Sequence, residues 1–163
     1  MIIILVGVSG SGKSTVGRLL AERLAWEFHD GDDLHPEENV RKMATGTPLT
    51  DDDRWPWLER IGEMMQECDD AGRNAVIACS ALRTAYRDYL LRHSPAVDLV
   101  FLRGQRDTIL ERMQRRGDHF MPADLLDSQF DALEEPQHAV IADVAKSPEE
   151  IVDHIVQELS LPG

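Results

Sequence analysis

Cysteine is scarce in this chain of 163 residues: only Cys68 and Cys79 are present. Two thiols do not make a disulfide framework, and their spacing fits no metal motif, so reduced cysteines are expected. Positive charge is also in short supply. Seventeen Lys and Arg stand against 30 Asp and Glu, leaving a formal charge of −13. Such a field argues against nucleic acid and anionic membrane as partners. The apolar opening, residues 1–6, is too short to span a bilayer and lacks a basic leader, so a cytoplasmic protein is expected. No segment repeats, none is low in complexity, and no Gly/Ser-rich stretch reads as a linker. The chain is therefore read as one domain, 1–163, whose 42% apolar content suits a soluble globular core.

What is present is an alternation. Ile2-Ile3-Ile4-Leu5-Val6 is a continuous apolar, mostly β-branched run, the pattern of a strand buried on both faces. A glycine-rich turn follows, and then Val16, Leu19, Leu20 and Leu24 recur at helical spacing. Further strands are predicted at 25–29, 74–79, 97–102 and 138–144. Helices are predicted at 36–44, from 51 through Met65, and at 83–93, 108–115, 123–133 and 148–159. Pro36 sits at or near the start of its helix, and Thr50 is the predicted N-cap of the acidic turn Asp51-Asp52-Asp53. Five strands alternating with helices mean a three-layer α/β/α fold around a parallel sheet. In such sheets ligands sit beyond the carboxyl ends of the strands. Here those ends run from Gly7, Asp30, Ser80 and Arg103 onward.

Gly7-Val8-Ser9-Gly10-Ser11-Gly12-Lys13-Ser14 matches the phosphate-loop pattern G-x-x-x-x-G-K-[ST] between a strand and a helix. The glycines let successive N–H groups converge on phosphate oxygens, and the helix N-terminus adds partial positive charge. Gly7, Ser9, Gly10, Ser11, Gly12, Lys13, Ser14 and Thr15 are the candidate ATP contacts. Lys13 supplies the cation at the β- and γ-phosphates, and the Ser14 hydroxyl is a Mg²⁺ ligand. Absences narrow the class. Position 15 is Thr15 rather than the third glycine of a dinucleotide loop, and there is no Asn-Lys-x-Asp segment for guanine. The chain is too short to carry a motor's additional elements.

Asp30-Gly31-Asp32-Asp33-Leu34-His35-Pro36 follows the second strand. Gly31 permits a tight turn that lets Asp30 and Asp32 both face the phosphate loop. A kinase acting on a hydroxyl needs a carboxylate to orient it and take its proton, the role assigned to Asp32. Asp30 is assigned to the metal shell. The competing reading is a solvated acidic turn. Arg54, in the first turn of its helix, opposes the helix dipole and is a candidate for binding an anionic group. Arg83, just past the third strand, is either a second anion contact or a surface arginine. Arg103, Arg106, Arg112, Arg115 and Arg116 fall within fourteen residues. They form either a solvated helix face or part of a lid, about 115–135, whose arginines offset charge during phosphoryl transfer.

Several blocks resemble the gluconate kinases. They are the Asp30 to Pro36 segment, Lys42-Met43-Ala44-Thr45-Gly46-Thr47-Pro48-Leu49, Asp51-Asp52-Asp53-Arg54 with Pro56-Trp57-Leu58, and Cys79-Ser80-Ala81-Leu82 with Tyr86-Arg87-Asp88. His119-Phe120-Met121-Pro122 with Leu125-Leu126, Ser128-Gln129-Phe130 and Leu133-Glu134-Glu135-Pro136 complete the match. The resemblance implies a nucleoside-monophosphate-kinase-like fold with a lid. It implies transfer of the ATP γ-phosphate to the 6-hydroxyl of D-gluconate, with ATP and Mg²⁺ required, in a protein that forms homodimers. It places Arg112 against adenine and makes Arg116 the catalytic lid arginine. His35, Arg54, Arg83 and His119 join Asp32 as substrate contacts. Arg83 stands where relatives often carry lysine, and Gly117-Asp118 puts an acid into a lid stretch that is often basic. The rival readings are a kinase of shikimate or of a nucleoside monophosphate, which the acceptor blocks oppose. A nucleotide-binding protein without catalysis is opposed by Lys13, Ser14, Asp32 and the arginines together.

Overall fold

The computed structural model describes residues 1–116 and 123–162. The strands are β1 (Ile2–Val6), β2 (Glu27–Asp30), β3 (Ala75–Ala78), β4 (Val97–Arg103) and β5 (Val140–Asp143). The helices are α1 (Lys13–Leu24), α2 (Glu37–Ala44), α3 (Asp51–Asp70), α4 (Thr84–Leu91), α5 (Arg106–Arg116), α6 (Ala123–Ala132) and α7 (Pro148–Glu158). All four strand pairings are parallel, in the order β2-β3-β1-β4-β5. The apolar run at the start of the chain thus becomes the central strand, paired on both edges and buried on both faces.

Alternation along β1 divides the core in two. Ile3 and Leu5 pack with Val16 and Leu20 of α1, Ile109 of α5, and Ile151, Val152 and Ile155 of α7. Ile2, Ile4 and Val6 pack with Trp57, Leu58, Ile61 and Met65 of α3 and Tyr86 and Leu90 of α4. Each fully buried aliphatic side chain contributes roughly 1.5–3 kcal/mol. Together they hold the strand ends, and the loops leaving them, in fixed positions. Gly17 lets α1 lie close to the sheet, since a Cβ there would meet the Phe28 ring at 2.5 Å.

Some boundaries differ from the sequence reading. Ala25 caps α1 in the left-handed region (φ 54°), so β2 begins at Glu27 instead of 25. Pro36 is the N-cap of α2 and lies outside the helix proper. Arg83 is the N-cap of α4, which starts at Thr84. The turn after β2 is a 3-10 helix, Gly31–Leu34, capped by the Asp30 carboxylate. Gly31 is required there for closeness, because a Cβ would lie 2.6 Å from the Ala78 carbonyl oxygen. Thr50 does cap α3, in a reciprocal capping box with Asp53. Both cysteines are buried and unpaired. Among the described residues no helix is long and apolar enough to cross a membrane.

Candidate active site

The loop after β1 is built for an anion. Gly10 and Gly12 adopt positive φ (76° and 95°), which L side chains resist. Gly12 is the N-cap of α1, with no side chain capping the helix and no acid in its first turn. By contrast, α3 and α7 both close their N-termini with capping boxes and acidic residues. Hence no side chain of its own caps α1, and its leading N–H groups are left for an anion. Gly10 also gives space: a Cβ there would come within 2.6 Å of Met113.

Lys13 lies against this loop, its Nζ donating to the Gly7 and Val8 carbonyls at 3.0 Å each. Burial pushes its ammonium below the ordinary lysine value, while Asp32 and Asp30 act in the opposite direction. The Ser14 hydroxyl donates to Asp30 Oδ2 at 2.6 Å, and Asp30 Oδ1 accepts from the Asp32 backbone N–H at 3.1 Å. One carboxylate thus ties the first turn of α1 to the turn that carries Asp32. A hydroxyl and a carboxylate are hard oxygen donors, the set that suits Mg²⁺.

Facing the loop is a wall made of side chains. The His35 side chain is 4% exposed and stacks on Trp57, with ring centroids 4.2 Å apart and planes at 12°. The Trp57 indole N–H donates to the Gly31 carbonyl at 2.6 Å, fastening α3 to the 3-10 turn. Arg54 donates to the Leu49 carbonyl at 2.6 Å, and its guanidinium lies 5.7 Å from the Tyr86 ring centroid. The Tyr86 hydroxyl donates to Asp51. The Asp32 side chain is still 68% exposed at the cleft, and partial desolvation there raises its carboxyl above the usual aspartate value, against the attraction of Lys13. Burial, reinforced by Arg54, lowers His35 to about 4 and keeps it neutral. Burial pushes the Cys79 thiol, beneath the cleft-lining Ser80, up to about 12 and keeps it protonated.

Between loop and wall lies a cleft of about 450 Å³. Ser9, Gly10, Lys13, Asp32, His35 and Arg54 all line it, so the two halves inferred from sequence meet in one cavity. Chemically, one end presents amides and a cation to phosphate. The other presents a carboxylate of raised proton affinity and a guanidinium.

The remaining expected residues divide. Gly7, Ser11, Gly12, Ser14 and Thr15 form the loop and first turn of α1. Arg83 is exposed and lies 3.7 Å from Asp51, outside the cleft lining. Arg103, Arg106 and Arg115 pair with Glu135, Asp127 and Glu111, which favours the solvated reading for those three. Arg112 is half-buried and Arg116 is exposed at the end of α5, and neither lines the cleft. His119 and the Gly117-Asp118 pair lie outside the described residues, as do the other residues of 117–122 within the expected lid. Two site residues had no assigned role. Asn39 is buried beside His35, and nothing in its sequence setting marked it. Gln129 of α6 accepts the Ser9 backbone N–H at 2.7 Å. Its only signal was its place in a block shared with relatives.

Comparison with known proteins agrees with this geometry. The family model described as shikimate kinase matches residues 9–160. The thermosensitive gluconokinase of Escherichia coli is 52% identical over 82% of this chain and 72% of its own length. A gluconokinase of Gluconobacter oxydans is 41% identical over 95% of this chain and 89% of its own. The crystal structure of a gluconokinase from Sinorhizobium meliloti superposes with a TM-score of 0.90 at 46% identity, covering 97% of this chain and 90% of that one.

Proposed function

The chain belongs to the gluconokinase family, within the shikimate-kinase type of P-loop kinases, and from that premise we propose that it transfers the γ-phosphate of ATP to the 6-hydroxyl of D-gluconate. The observation that carries the reading is that Lys13 and Asp32 line a single cleft, one on the phosphate loop and one on the acceptor wall. The loop amides and Lys13 hold the terminal phosphates and offset the charge that spreads over the transferred group. Asp32 orients the 6-hydroxyl and takes its proton. As the gluconate oxygen bonds to the γ-phosphorus, the bond to the bridging oxygen breaks and ADP departs. Arg54, rooted on the Leu49 carbonyl, meets the gluconate carboxylate, and His35 borders the polyol. Ser14 and Asp30 would hold Mg²⁺, which when bound neutralises phosphate charge. Arg83 is a second anion contact on this reading, Arg112 lies against adenine, and Arg116 and His119 act from the lid. A cytoplasmic homodimer completes the proposal.

The test offers the pure protein ATP with gluconate, shikimate or a nucleoside monophosphate in turn, and measures ADP by a coupled assay. Turnover with gluconate is expected to exceed that with the others by orders of magnitude. No turnover with gluconate overturns the substrate assignment.

A further inference from the structure

We propose that Asn39 is a positioning residue, locking His35 in the tautomer that carries its proton on Nε2, so that this N–H faces the acceptor hydroxyls beside Asp32. The inference rests on the gluconate reading only for the identity of those hydroxyls.

Asn39 is 3% exposed and sits in the first turn of α2. Its side-chain Nδ2 lies 2.8 Å from the Asp53 backbone carbonyl and 3.3 Å from His35 Nδ1. A backbone carbonyl can only accept. The amide group facing it must therefore be the NH₂, since a flipped amide would set oxygen against oxygen. That NH₂ has two hydrogens. One goes to Asp53, and the other points at Nδ1. An Nδ1 that accepts carries no hydrogen, so in the neutral ring the proton sits on Nε2. The ring cannot rotate away, because it stacks on Trp57, which is itself fastened to the Gly31 carbonyl.

Nε2 lies 4.0 Å from Asp32 Oδ1, too far for a direct hydrogen bond. Its N–H is thus left for an alcohol oxygen in the cleft, next to the one that Asp32 deprotonates. The charged groups facing the ring are Asp32 from the 3-10 turn and Arg54 from α3. Arg54 and burial oppose protonation, and the neutral ring persists well below neutral pH. The polar acceptor wall therefore reads a polyol through a donor whose direction is set two residues deep.

The test begins with long-range ¹H–¹⁵N spectra of the histidine-labelled enzyme, with His35 assigned from the His35→Gln variant. At neutral pH the wild type should show a pyridine-like Nδ1 and a protonated Nε2. A protonated Nδ1, or an imidazolium, overturns the proposal regardless of what the enzyme phosphorylates. Asn39→Ala should mix the tautomers and lower kcat/KM for gluconate roughly ten- to a hundredfold, leaving KM for ATP unchanged. In Asn39→Asp the new carboxylate should accept from Nδ1–H, drawing the ring toward the charged form and moving the acidic limb of the pH profile upward. A folded Asn39→Ala enzyme with wild-type tautomer and gluconate kinetics sinks the idea. If the wild type shows the expected tautomer but does not turn over gluconate, the substrate assignment fails while the positioning role stands.

Discussion

The two walls of the cleft are made of different material. The phosphate wall is backbone: positive-φ glycines, an uncapped helix start, and Lys13 folded onto two carbonyls. The acceptor wall is side chain: His35 stacked on Trp57, Arg54 over Tyr86, and Asn39 beneath. A wall of amides recognises a group that every nucleotide shares, and it needs only residues that permit one local conformation. A wall of side chains recognises one acceptor, and it needs partners drawn from the 3-10 turn, α2, α3 and α4. Binding phosphate and choosing the alcohol are therefore separable properties, and substitutions can show the separation.

The largest expected effect lies at the boundary between the walls. Asp32→Asn should lower kcat roughly 10²- to 10⁴-fold, the span of a positioned acid or base, with nucleotide binding by calorimetry nearly unchanged. The same variant should raise the melting temperature slightly at neutral pH, the effect being small because solvent screens a side chain that is 68% exposed. A carboxyl whose pKa is raised in the folded state contributes stability at low pH that is lost as pH rises and it ionises. Asparagine never ionises, so that loss disappears. Near-normal turnover would remove Asp32 from the base role. Next comes Lys13→Ala, expected to lower kcat/KM by about 10²–10³, or ~2.7–4 kcal/mol, as for a lost electrostatic contact to the transition state. An unchanged kcat/KM would show that the loop amides suffice alone.

The difference in material also explains what was legible in the sequence. The phosphate wall could be read residue by residue because local conformation is encoded locally: glycines, lysine and serine at fixed spacing between a strand and a helix. The β1 run announced a central parallel strand for the same reason. The acceptor wall was legible only in outline. Asp32 stood out by its place in the turn after the second strand, and Arg54 as a cation set against its helix dipole. Asn39 did not, because its role depends on Asp53 and His35 arriving from other elements, and no spacing records that. Gly31 was read for only part of its role. It opens the tight turn that the sequence suggested, and it is also needed for close approach to β3, a tertiary fact. The arginine run left two readings open because Glu135 and Asp127, which pair with Arg103 and Arg106, lie 32 and 21 residues away.

A smaller effect should confine itself to the phosphate wall. Gly10→Ala places a Cβ at φ 76° and 2.6 Å from Met113. Left-handed backbone costs an L residue about 1–2 kcal/mol, and Met113 is flexible enough to yield part of the way. Nucleotide Kd should rise roughly tenfold, while gluconate KM at saturating ATP stays within about twofold. Equal losses for both ligands would mean that the two walls move together, contrary to the separation argued above.

At neutral pH the smallest perturbation is acidity itself, and it tests the acceptor wall without a mutation. Asp32 is held above the ordinary 3.8 of aspartate, so activity should fall on acidification at a higher pH than an unperturbed carboxylate would give. His35 stays neutral down to about 4, so it should add no second limb within that range. Stability carries the complementary sign. Between 6.5 and about 4 the unfolded chain binds a proton at position 35 that the folded chain refuses, so wild-type stability should decline as pH drops through that window. His35→Gln should flatten the decline in denaturant titrations run across it. An identical slope in both proteins would mean that the imidazole is already charged in the folded state, and a charged ring could not accept from Asn39.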